Sequence, residues 1–156
     1  MLENIEILLT VENIYLFANW GVVPFWFLLI LLPNSPITNF LVNSIIVPFL
    51  LAGAYVFLTY KIYQEGNILN GFNLYGGIED LYAVFSDEIF LLIFWIHFLT
   101  LSLFLGGWIS KDSLRYNVPK FITIICLILT YFSGPVGLLI YWVFRIFFAK
   151  KISFNE

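Results

Sequence analysis

Charged residues make up only 11% of this 156-residue chain, and histidine, cysteine and methionine occur once each. Soluble domains carry about a quarter charged residues, so so low a value argues for a lipid environment. The lone cysteine, Cys126, excludes an intrachain disulfide and a thiolate-rich structural metal site. The lone histidine, His97, makes no metal site by itself. No basic run matches a phosphate backbone, so nucleic acid is not an expected partner. The chain has no glycine-rich nucleotide loop, no serine or cysteine nucleophile with its base, and no cofactor motif; no cofactor is expected. Paired carboxylates within the apolar runs are missing too, which argues against a proton-coupled transporter or pump. Inverted repeats are not evident, and no polar stripe runs along any helix, so a secondary transporter or solute channel is disfavoured.

What the chain has is hydrocarbon. Apolar and aromatic residues make up 62%, aromatics alone 21%, with 18 Phe, and the net charge is −3. Hydropathy predicts an all-α, four-helix integral membrane bundle forming a single membrane domain, with spans of about 14–32, 37–60, 88–109 and 119–148. Ser35 and Pro36 suit the start of the second span, and Ser86-Asp87-Glu88 suits the start of the third. The loop 61–87 carries Ile78, Leu81, Tyr82 and Phe85 at helical spacing, read as a short interfacial helix, or else as a lid over the bundle. The opening MLENIEILLTVEN holds three Glu and no Lys or Arg, the wrong charge for a signal peptide. Four crossings would put Lys61, Arg145, Lys150 and Lys151 on one side and Lys111, Arg115 and Lys120 on the other. That count only slightly favours both termini on the cytoplasmic or stromal face.

Pro24, Pro48 and Pro135 each fall inside a predicted span, where a proline ring displaces the backbone bond to the carbonyl four residues earlier. Three kinked helices are expected to open a pocket between them, or to be covered by neighbouring side chains. His97 is the only titratable residue deep in a span and is expected to look into the bundle, as a general base or hydrogen-bonding group, or as a packing contact. Trp95 and Tyr131 are candidate walls for a flat or polyene ligand. Thr100 shares the His97 face, and Asn19 is a polar residue within the first span. Ser102 and Gly106 form a small-residue pair for helix packing.

The run Trp95-Ile96-His97-Phe98-Leu99, then Leu103-Phe104 and Asp112, resembles the third helix of the abscisic-acid-deficient-four-like membrane family, required for neoxanthin formation in plants. Leu31-Leu32-Pro33-Asn34, Val47-Pro48, Phe85-Ser86-Asp87-Glu88 and Gly134-Pro135-Val136-Gly137-Leu138 match in order, over about residues 14–147. Two positions depart from the family: Ser102 stands where an Asp is usual, and Gly107 where an Arg often follows.

The resemblance implies a protein of carotenoid (xanthophyll) metabolism in a bacterial inner membrane or thylakoid membrane. Its activity would be a cofactor-free isomerase or rearrangement, or carotenoid binding without turnover. His97 would be the catalytic residue, with Trp95, Thr100, Tyr131 and Asn19 as ligand contacts. Opening an epoxide to an allene needs an acid at the oxygen and a base at the carbon, and the two departures remove charges that would serve. The alternative is a small non-catalytic subunit packing pigment or lipid in a larger membrane complex. Membrane lipid and a carotenoid or other apolar ligand are the expected partners.

Overall fold

A computed structural model describes residues 10–44, 46–66 and 68–150. The acidic stretch before Thr10, and Lys151, lie outside these residues. Among the described residues the chain is helical and has no strand. The helices are α1 (Val11–Gly21), α2 (Val23–Leu31), α3 (Pro36–Leu41), α4 (Ile46–Gln64), α5 (Ile78–Phe85), α6 (Glu88–Arg115), α7 (Lys120–Ser133) and α8 (Pro135–Ala149), with a 3-10 segment at Ile68–Tyr75. Three stretches are long and apolar enough to cross a membrane: Val11–Leu31, Pro36–Gln64 and Glu88–Arg115.

The chain divides into two compact units. One comprises Met1–Gly21 and Phe49–Thr100, the other Val22–Pro48 and Leu101–Glu156. In the first, buried positions recur at helical spacing, three or four residues apart on α6 at Leu92, Ile96 and Leu99, and seven and four apart on α4 at Leu51, Leu58 and Ile62. Asp87 caps α6: its Oδ1 accepts from the backbone N–H of Ile89 at 2.9 Å and of Phe90 at 3.1 Å. The predicted short helix forms as α5, with Val84 buried and Phe85 edge-on to Phe94 at 4.8 Å, while Ile78 and Tyr82 stay exposed. The helix before it runs to Gln64, four residues beyond the predicted end of the second span.

In the second unit the core gathers around Trp26, Leu29, Leu103, Cys126, Leu127 and Tyr141. Ser35 caps α3 as expected, accepting from the Thr38 N–H at 3.1 Å, and the Thr38 hydroxyl donates back to the Leu32 carbonyl at 2.6 Å. Gly106 packs against Trp26: a Cβ there would lie 2.7 Å from the indole ring.

The expected fourth span is not one helix. It is a hairpin of α7 and α8 turning at Gly134, which ends α7 at φ 49°, ψ −84°. Positive φ is open to glycine at little cost, and Pro135 fits the first position of the next helix. A Cβ on Gly137 would come 2.6 Å from the Cys126 carbonyl and would collide with Thr130. A continuous helix would hold residues 126 and 137 about 16 Å apart, so the chain has folded back. Each arm is about 21–22 Å long, short of the ~30 Å hydrocarbon thickness. Both ends of the hairpin lie at the C-terminal end of α6, because Arg145 pairs there with Asp112. Arg145 and Lys150 therefore leave the side on which four crossings had counted them.

The proline expectation also changes. Pro24 lies in the first turn of α2, Pro48 in the first turn of α4 and Pro135 at the start of α8. First-turn residues have no intrahelical partner for an N–H, so each proline suits the helix start it occupies. Pro24 and Pro48 interrupt the long apolar stretches Val11–Leu31 and Pro36–Gln64, and the backbone at Val22 stays helical, at φ −79° and ψ −23°.

Candidate functional site

His97 lies on the exposed face of α6, not toward the interior; its imidazole centroid is 6.1 Å from the Tyr55 ring, tilted at 47°. The cause is the register of α6, whose buried stripe runs through Leu92, Ile96 and Leu99 and leaves position 97 outside it. Thr100 is half-buried, and its hydroxyl is spent on the Ile96 carbonyl at 2.7 Å. Asn19 is half-buried on α1. Tyr131 belongs to the second unit, where it meets Trp26 edge-on at 5.4 Å and Phe132 at 4.9 Å. Trp95 and His97, two residues apart, fall on different faces of α6.

Trp95 does line a groove. Within the first unit, a groove of about 530 Å³ runs between α1 and the start of α6, lined by Val11, Glu12, Tyr15, Glu88, Leu91, Leu92 and Trp95. That volume is in the range of small-molecule sites, about 300–1,000 Å³. Its floor is apolar and aromatic, while Glu12 and Glu88 put two carboxylates on its rim. The Trp95 ring stacks on Phe98 at 5.4 Å, and its indole N–H is buried without a hydrogen-bond partner. Such an orphan donor costs about 1–3 kcal/mol.

The most heavily buried polar cluster was not foreseen as a site. Arg145 Nε and the Tyr141 hydroxyl both donate to Oδ2 of Asp112, each at 2.7 Å. Arg145 and Tyr141 are fully buried. The guanidinium lies 4.8 Å from the ring centroids of both Tyr116 and Trp142. Trp108 adds a stacked contact to Trp142 at 5.9 Å and an edge contact to Tyr141 at 5.7 Å. Aromatic rings occupy the space around the charges, so the cluster is built as an internal brace tying α8 to α6. Spacing on α6 and α8 carried a signal: Trp108 and Asp112, like Tyr141 and Arg145, are four residues apart and share a helix face. A fourth crossing through 119–148 would instead carry Arg145 to the side opposite Asp112.

Asp112 and the Gly134–Leu138 turn are thus fixed points of the architecture, and both stand among the motifs that carried the resemblance. A family model described as ABA DEFICIENT 4-like matches residues 13–141. The chain belongs to that family. Neither the curated proteins nor the solved structures gave a match. The ABA DEFICIENT 4-like match takes in the groove residues from Tyr15 to Trp95 and the Asp112–Tyr141 half of the brace, and stops short of Arg145. Of the two departures, Ser102 is buried, and a Cβ at Gly107 would lie 3.2 Å from Asn43 Oδ1. A side chain at 107 in this ABA DEFICIENT 4-like protein would press on the Asn43 amide, whose Oδ1 is buried without a hydrogen-bond partner.

Proposed function

We propose that this membrane protein acts in carotenoid metabolism by holding the hydroxylated end ring of a xanthophyll in the groove between α1 and the start of α6. The observation that carries this reading is the composition of that groove: an aromatic and aliphatic floor under a rim bearing Glu12 and Glu88. Both carboxylates sit at helix beginnings, at the level where an apolar span meets headgroups. A molecule with a hydrocarbon body and a hydroxyl at its end ring matches that gradient, its hydroxyl donating to a rim carboxylate while Trp95, Leu91 and Leu92 cover the ring. The family resemblance supplies the xanthophyll class. Where turnover occurs, proton transfer at the ring oxygen falls to Glu12 and Glu88, because His97 faces away from the groove.

The test is pigment retention. Protein purified from a carotenoid-producing host is expected to carry xanthophyll in preference to unhydroxylated carotene. Trp95→Ala and Glu88→Gln are expected to lower that retention about tenfold, the effect of losing roughly 1.4 kcal/mol of binding. His97→Ala is expected to leave it unchanged. Pigment lost with His97→Ala and kept with Trp95→Ala would move the site to the other face of α6.

A further inference from the structure

Acidic and basic residues are sorted between the two units. Among the described residues the first unit holds Glu12, Glu65, Glu79, Asp80, Asp87 and Glu88 against the single base Lys61. The second holds Lys111, Arg115, Lys120, Arg145 and Lys150 against the single acid Asp112. Arg145 and Asp112 neutralise one another inside the brace. The other four cationic residues of this unit, Lys111, Arg115, Lys120 and Lys150, are all exposed.

These four share one end of the second unit. Lys111 and Arg115 occupy the last turns of α6, and Lys111 Nζ donates to the Asn43 carbonyl at 3.0 Å. Lys120 opens α7 and lines a cavity of about 120 Å³ with Pro33 and Ser113. Lys150 closes α8, five residues after the arginine bonded to Asp112. The start of α6 is anionic by contrast, with Asp87 and Glu65 lining one cavity and Glu88 and Glu12 lining the groove. A helix of 28 residues that crosses a bilayer emerges with Glu88 on one face and Arg115 on the other.

We propose that the end bearing Lys111, Arg115, Lys120 and Lys150 is a docking surface for the anionic headgroups of the cytoplasmic (or stromal) leaflet, fixing the orientation of the chain. Lysine and arginine in short segments beside spans are retained on the cytoplasmic side, and acidic residues count for little in that bias. Four exposed bases against Lys61 is a strong asymmetry, and it appears only once the hairpin has returned Lys150 to this end. Anionic lipid headgroups attract basic residues at this level. The loop bearing Tyr75 then faces the opposite compartment, and the link at Asn34 faces the cytoplasm.

Two measurements test the proposal. In a bacterial inner membrane, Asn34→Cys and Tyr75→Cys are treated with a membrane-impermeant maleimide, the buried native Cys126 serving as the unlabelled background. Tyr75→Cys is expected to react in intact cells, and Asn34→Cys only after permeabilisation. The reverse pattern, or equal labelling of both, overturns the orientation. In mixed phosphatidylglycerol and phosphatidylcholine bilayers, the purified protein is expected to retain phosphatidylglycerol selectively. The combined variant Arg115→Gln, Lys120→Gln and Lys150→Gln, which leaves the Lys111–Asn43 bond in place, is expected to lose that selectivity by about fivefold per charge removed. Selectivity undiminished in a variant that keeps the wild-type helix content overturns the lipid assignment.

Discussion

Arg145 donates through Nε to Oδ2 of Asp112 at 2.7 Å, joining residues 33 positions apart in the chain. The pair closes the hairpin onto α6, with Tyr141 donating to the same oxygen. Removing one partner strands a buried charge, a cost of about 3–5 kcal/mol, whereas replacing both with apolar residues of similar size is often neutral. Asp112→Asn and Arg145→Leu are each expected to lower stability by that amount. The double variant Asp112→Leu with Arg145→Leu is expected to recover at least half of the loss. Unfolding titrations in detergent, run as a double-mutant cycle, measure it; additive losses would refute the brace.

Gly137 marks the closest approach of the hairpin arms. Its missing Cβ makes room for Thr130 and for the Cys126 carbonyl, 2.6 Å from where that carbon would stand. Gly137→Ala pushes against backbone, which does not yield as a side chain does, so the cost is expected to reach or exceed the ~1–3 kcal/mol of ordinary overpacking. Opening the arms exposes Cys126, which is fully buried in the folded chain. Maleimide labelling of Cys126 is expected to rise in Gly137→Ala and to stay negligible in the parent. Unchanged labelling together with unchanged stability would mean that the arms are not in contact.

Gly106 offers a milder case, because its obstacle is a side chain. A Cβ there meets the Trp26 ring at 2.7 and 2.8 Å, and Trp26 is held in place by Tyr131. Gly106→Ala is expected to cost about 1–3 kcal/mol, and Trp26→Leu in the same chain is expected to relieve part of it. A combined loss equal to or greater than the sum of the two single losses would rule out this contact.

Much of the local structure was legible in the residues. The Ser35 and Asp87 caps, the helix at Ile78–Phe85 and the three long apolar stretches follow from capping chemistry and periodicity, which act over a few neighbours. The helical hairpin was legible only in part. Gly134-Pro135 announces a break, yet a hydropathy window reads two 14- or 15-residue arms as one long span. Direction after the break is decided by the small surface of Gly137 and by a charge pair spanning 33 residues, and neither has a local signature. His97 was misplaced for a related reason. Rarity of charge in lipid argues for an inward imidazole, but the register of Leu92, Ile96 and Leu99 determines where position 97 points. Trp95, two residues earlier, sits on the side that register turns toward α1.

The hairpin's return to its starting face has a consequence for how the chain is built. Arg145, although fully enclosed in the finished protein, never has to be dragged through the middle of the bilayer. In a membrane crossed by the three long apolar stretches, residues 120–149 can dip in and come back without exporting a single hydrophilic stretch. The guanidinium thus reaches its aromatic sleeve from the face on which the hairpin begins.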